Sequence, residues 1–173
     1  MSTVASPQGA APCSDPATVT ERADRLVRAR PPFRFAWPFR VRLADTDAMG
    51  VMYHGAYLRY LEEARVEYIR NLGISYRQQG FDAGILVAVG ELHLRYHAPA
   101  RYDDLLAVQT RIARLGPASL RYEYEVWRAE DERLVLSGWT VNPFLDRATL
   151  RPTAVPAWLR QAIRAFEGGE RPA

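Results

Sequence analysis

The stretch that decides the fold is LADTDAMGVMYHGAYLRYLEEARVEYIRNLG, residues 43–73. From about Gly55 to Leu72, the apolar residues Tyr57, Leu58, Leu61, Ala64, Tyr68 and Leu72 recur at three- and four-residue spacing, which predicts an amphipathic helix. Gly73 follows as its stop, since glycine adopts the left-handed conformation that ends helices at no steric cost. Arg59 with Glu63, and Glu62 with Arg65, are spaced for pairing on the solvent side. Directly ahead of the helix, Asp45, Asp47, Gly50, Tyr53 and His54 crowd into ten positions.

Working outward, FAWPFRVRL at 35–43 alternates arginine with Phe39, Val41 and Leu43, the period of a strand, and Pro38 implies a sheet edge or a strand start. Beyond the helix and a short irregular connection over 74–84, four more strands are expected over Ile85–His97, Leu105–Leu115, Ser119–Ala129 and Leu134–Leu145. They are separated by the turn sequences PARYDD, LGP and EDE. In the first of the four, Leu92, Leu94 and Tyr96 share one face, while Glu91, His93, Arg95 and His97 share the other. A last helix over Pro156–Phe166 carries Trp158, Leu159, Ala162, Ile163 and Phe166 on a stripe. One long helix between a first strand and four consecutive antiparallel strands is an α+β arrangement in which a five-stranded sheet can curl around the helix. The Ala-, Pro-, Ser- and Arg-rich residues 1–33 read as a flexible extension with one candidate short helix near Asp15, followed by a single domain over 34–168 and a tail over 169–173.

Composition narrows the chemistry. All 23 basic residues are arginine, so a Schiff-base lysine and a phosphate-loop lysine are both ruled out. The net charge of +3 permits an anionic partner without identifying one, and the basic residues are dispersed rather than clustered, which argues against nucleic acid. The single cysteine, Cys13, gives no internal disulfide and no cysteine metal site. No apolar run approaches the ~20 residues of a membrane span, and the first residues lack a secretory pattern. A cytoplasmic protein is expected. His93 and His97 share a strand face, yet no third ligand of suitable spacing accompanies them, so no metal site is expected. Tyr122, Tyr124 and Trp127 read as sheet packing.

The helix start is where chemistry is expected. Backbone N–H groups around Tyr53, His54 and Gly55 lack intrahelical acceptors, and the helix dipole adds about half a positive charge there. A carbonyl oxygen docked on them is polarised for attack. Asp47, across a loop that Gly50 lets turn tightly, can act as general base or as nucleophile; His54 can assist it, and Asp45 is expected to satisfy loop amides.

The 43–73 stretch, with its D-x-D-x-x-G-x-x-Y-H run, resembles the signature of the hotdog-fold acyl-CoA thioesterases of the 4-hydroxybenzoyl-CoA thioesterase-like family, especially the bacterial branch associated with the Tol-Pal system. The likeness extends to FAWPFRVRL and to LHLRYHAPARYDDLLAV, about residues 35–167 in all. It implies a hotdog fold, a five-stranded antiparallel sheet wrapped around the long helix, and a homodimer or homotetramer built by side-by-side sheets. It also implies hydrolysis of an acyl-CoA substrate without metal or other cofactor. Asp47 would be the catalytic carboxylate and the His54 N–H the polarising donor, with Tyr53 and Gly55 flanking. Arg114, Ser119 and Arg151 are the expected contacts to the coenzyme A nucleotide. Leu43 stands where that branch often has tyrosine, and Ala56 where it often has a small polar residue or Asn, which leaves substrate range open. The alternatives are a hotdog-fold enoyl-CoA or acyl-carrier-protein dehydratase and a non-catalytic acyl-CoA-binding module.

Overall fold

The computed structural model describes residues 28–75, 77, 80 and 82–168. The candidate helix near Asp15 and the tail over 169–173 lie outside the described residues, as does part of the 74–84 connection. Among the described residues six strands form, β1 (Phe35–Arg40), β2 (Ile85–Val87), β3 (Glu91–Tyr96), β4 (Leu105–Leu115), β5 (Ser119–Arg128) and β6 (Arg133–Asp146), with helices α1 (Tyr57–Asn71) and α2 (Ala157–Gly168). All pairings are antiparallel, in the order β1-β4-β5-β6, with β2 and β3 both on the free side of β6.

The expected strand over Ile85–His97 is thus two strands. Val87 pairs with Phe144 and Glu91 with Val141, so three intervening residues on one side face two on the other, a one-residue slip at Ala88–Gly90. The sheet still has five positions across, and the fifth is bulged. Pro38 sits on the edge strand β1, where its missing N–H costs no ladder bond.

Helix α1 buries Tyr57, Tyr60, Leu61, Ala64, Tyr68 and Ile69 against β1 and β4. Compared with the sequence reading, Tyr60 and Ile69 join the buried face and Leu58, 42% exposed, leaves it, while Leu72 packs partly buried against the core. The stripe is rotated because Tyr60 stacks on Phe39 of β1, ring centroids 3.8 Å apart and 14° from parallel. Full burial of a Leu- or Phe-sized side chain contributes about 2 kcal/mol, which favours the rotation that seats Tyr60 on Phe39. The opposing sheet face supplies Leu106, Val108, Ile112, Leu120, Tyr122, Tyr124, Val126 and Leu136. Tyr122 and Tyr124 are core, as expected.

Residues 28–33, assigned by sequence to the extension, lie on the sheet instead. Phe33 is buried, the Arg30 N–H donates to Gln109 Oε1 at 2.9 Å, and the Arg30 guanidinium covers Trp127 at 4.5 Å. Gln109 is fully buried on β4 and needs such a partner. Among the described residues no helix is long and apolar enough to cross a membrane.

Candidate active site

The strand β1 ends at Arg40 because the next residues turn: a single 3-10 turn covers Leu43–Asp45, and Asp45 is what fixes it. Its buried carboxylate accepts the Arg42 N–H at 3.0 Å, the Arg59 guanidinium at 2.9 Å and the Tyr60 hydroxyl. Asp45 therefore does satisfy a loop amide, and in addition ties the loop to α1. Arg59 is drawn to Asp45; its expected helical pairing with Glu63 gives way to a buried, charge-assisted bond. Burial, then the bond to Asp45, pushes the Tyr60 phenol up to about 12.

Thr46 and Met52 form an isolated antiparallel bridge that closes a small loop. Inside it the Asp47 N–H donates to Val51 O at 3.0 Å and the Gly50 N–H to Asp47 O at 2.9 Å, with Gly50 at φ +71°, a left-handed conformation suited to glycine. The Met52 N–H donates to Ala100 O at 2.7 Å, anchoring the loop to the PARYDD turn. Asp47 is half-buried. Its Oδ1 accepts the Met49 N–H at 2.8 Å, and among the described residues no other group bonds its carboxylate. Asp47 thus lies just inside this closed loop, facing Val51, and His54 lies two residues beyond Met52 on the way to α1.

A 3-10 turn, His54–Ala56, then leads into α1. No side chain caps it, and its first internal bond is from the Ala56 N–H to Tyr53 O at 2.9 Å. The Tyr53 N–H donates to Asp45 O at 2.8 Å, which leaves the N–H groups of His54 and Gly55 as the donors ahead of the first internal bond. Tyr53 contributes its ring instead. It lies 4.2 Å from the His54 imidazole and covers Gly55 so closely that a Cβ there would fall 2.7 Å from Tyr53 Cε1. His54 is exposed.

Two groups at this site carry no local signal in the sequence. Tyr96 of β3 donates its hydroxyl to His54 O at 2.9 Å, and its ring meets Tyr57 edge-on at 5.6 Å. Tyr57 is buried beside the Ala100 backbone, and burial pushes its phenol up to about 12. Among histidines, His97 bonds Ser137 Oγ at 2.8 Å and His93 stacks on Trp139 at 5.7 Å.

Arg114 and Ser119 lie at the Gly116-Pro117 turn and Arg151 beside the end of β6, at the opposite end of the sheet from the Asp47 loop. Arg114 and Ser119 flank the Gly116-Pro117 turn, where the Gly116 N–H donates to Ser119 O at 2.9 Å; the segment after Arg151 runs alongside, Leu145 bridging Pro152 and the Val155 N–H donating to Pro117 O at 2.9 Å. The Asp47 loop sits beside the start of β4, where Val41 N–H donates to Asp104 O at 3.0 Å. The two groups therefore lie at opposite ends of β4, whose eleven residues span ~33 Å along the strand at ~3.3 Å for each of their steps.

The chain also resembles known proteins. The family model for the thioesterase-like superfamily matches residues 41–163. Acyl-CoA thioesterase YbgC of Haemophilus influenzae is 34% identical over 130 residues, 75% of this chain and 93% of that protein. Acyl-CoA thioester hydrolase YbgC of Escherichia coli O6:H1 is 36% identical over 123 residues, covering 70% and 90%. Among solved structures, a hypothetical protein, TT1821, from Thermus thermophilus superposes with a TM-score of 0.70 at 32% identity, over 76% of this chain and 98% of that one. The 1,4-dihydroxy-2-naphthoyl-CoA thioesterase Slr0204 of Synechocystis does so with a TM-score of 0.69 at 25% identity, over 75% and 94%. The helix wrapped by a bulged antiparallel sheet is the hotdog fold, and the chain belongs to the thioesterase-like superfamily as a thioester hydrolase.

Proposed function

We propose that this protein is a cytoplasmic acyl-CoA thioesterase that uses Asp47 against a thioester carbonyl held by the backbone N–H groups of His54 and Gly55. The observation that carries this reading is the half-buried Asp47 carboxylate, with one oxygen unengaged among the described residues, in the loop that leads into a helix start that no side chain caps. The carbonyl oxygen accepts from the two amides, which stabilises the negative charge that develops on it; one such donor is worth about 3 kcal/mol in acyl transfer. As general base, Asp47 takes a proton from water while the water oxygen bonds the carbonyl carbon. The C–S bond then breaks, and the thiolate leaves with a proton as free coenzyme A. As nucleophile, the same carboxylate oxygen bonds the carbonyl carbon and expels the thiolate, giving an anhydride that water opens at the Asp47 carbonyl to restore the carboxylate and release the free acid. Single turnover in 18O water separates the routes, because only the second places label in the Asp47 side chain. The His54 imidazole, exposed beside the Tyr53 ring, assists by holding substrate or attacking water.

The reading includes a homodimer or homotetramer. Edge strand β3 presents Leu92 and Tyr96, 44% and 46% exposed, with Val89 at 50% just before it, an apolar edge of the kind that pairs with another chain. If two copies pair β3 with β3 antiparallel about a two-fold axis, the Tyr96 end of one lies beside the Glu91 end of the other. That sets the Asp47 loop of one subunit on the same side of the joined sheet as the Gly116-Pro117 turn of its neighbour. Arg114, Ser119 and Arg151 would then contact the nucleotide of a thioester bound next door, since within one chain they lie at the far end of β4 from the Asp47 loop. Free-thiol release across a panel of acyl- and aroyl-CoA esters tests the activity. Turnover of at least one class supports it, and no turnover of any would reject it.

A further inference from the structure

We infer that Tyr96 is a positioning residue for this reaction: through its hydrogen bond to the His54 carbonyl, it orients and polarises the peptide unit whose N–H, that of Gly55, meets the thioester oxygen. The inference rests on the proposed thioesterase reading and concerns the same site. The His54 C=O and the Gly55 N–H belong to one planar trans peptide and point in opposite directions. A donor on the oxygen therefore stands directly behind the N–H. Tyr96 Oη is that donor, at 2.9 Å. Bonds in such a chain reinforce one another, so the Tyr96 contact makes the Gly55 N–H a stronger donor to the charge that builds up during attack.

The surroundings hold this peptide in place from both sides. The Tyr53 ring occupies the space a side chain at position 55 would need, with Cε1 2.7 Å from the position of an added Cβ. The Tyr96 ring is steadied by its edge contact with Tyr57, which is itself buried. Tyr96 comes from β3, 42 residues away in sequence, so the edge strand joins the loop in aligning the start of α1. An exposed edge-strand tyrosine has water available as a partner; here its hydroxyl is spent on the backbone at the one place where the amide behind matters.

The test is Tyr96→Phe in the full chain, which keeps the ring and removes the hydroxyl. Turnover is expected to fall roughly tenfold with KM unchanged within about twofold, since the lost polarisation acts on charge present only at the transition state. The thermal midpoint should hold, and the Gly55 amide proton should shift upfield in the unliganded protein. Unchanged kcat, or a change confined to KM, would overturn the inference while leaving the thioesterase reading intact. Absence of thiol release by the unsubstituted protein would overturn both.

Discussion

The two ends of helix α1 are built in opposite ways. At its far end the chain closes every gap: the Gly73 N–H donates to Arg70 O at 2.8 Å and the Ile74 N–H to Ile69 O at 3.3 Å, with Gly73 at φ +77°. The Tyr68 hydroxyl there meets Glu167 Oε1 at 2.6 Å, and the same oxygen accepts the Ile112 N–H at 2.8 Å, beside the irregularity in β4 at Ile112/Arg114. Helix α2 is thereby clasped to both the sheet and the end of α1. At the near end the amides of His54 and Gly55 stay uncapped, Asp47 keeps one oxygen unengaged among the described residues, and the polar contacts present serve to aim the backbone. The closed end holds the helix still so that the open end can stay open, a separation that the neighbouring carboxylates repeat: Asp45 is buried and saturated, Asp47 is half-buried and available.

Removing the saturated carboxylate tests that separation most severely. Asp45→Asn should cost about 3 kcal/mol of folding stability by denaturant titration, near the lower bound for breaking a buried ion pair, since Arg59 is half-exposed. A cost below about 1 kcal/mol would remove Asp45 from the account. Next comes Asp47→Asn, for which turnover should drop ~100-fold, about 2.7 kcal/mol in activation free energy, with thermal unfolding unchanged. Loss of stability without loss of turnover would exchange the two roles.

At the closed end, Glu167→Ala removes two hydrogen bonds and should cost about 2 kcal/mol at unchanged kcat. A fall in kcat would show that the ends are coupled. The smallest effect is alkaline. Burial raises the phenols of Tyr57 and Tyr60 to about 12 from 10 in the unfolded chain. Above pH 10 the unfolded chain loses these protons first, so stability present below pH 10 declines as pH climbs through 12. Tyr57→Phe should flatten that decline; an unaltered slope would place the Tyr57 phenol in contact with solvent.

Much of this was legible in the sequence because it is local. The helix over 55–72 follows from spacing, and the observed α1, entered through the 3-10 turn at His54, fits within it. The strand Leu105–Leu115 matches residue for residue, and the loop turn at Gly50 adopts the φ that its glycine suggests. What escaped is non-local. The slip at Ala88–Gly90 is set by register against β6, which the alternation of Leu92, Leu94 and Tyr96 does not reveal. Arg59 could be matched with Glu63 by helical spacing, but only the folded loop brings Asp45 within 2.9 Å. Tyr96 reads as one more apolar strand residue until the edge strand is seen to pass the helix start. The Tyr53 amide was taken by Asp45 O for the same reason: the loop doubles back on itself.

The claim on which the rest depends is that an acyl thioester docks its carbonyl on the open end of α1. The most direct measurement is amide NMR of the Asp47→Asn protein, titrated with an acyl-CoA thioester that the unsubstituted protein hydrolyses. The His54 and Gly55 amide protons are predicted to move downfield together as the complex forms, as N–H groups gaining an acceptor do. Saturable binding that shifts resonances elsewhere and leaves these two in place would contradict the account.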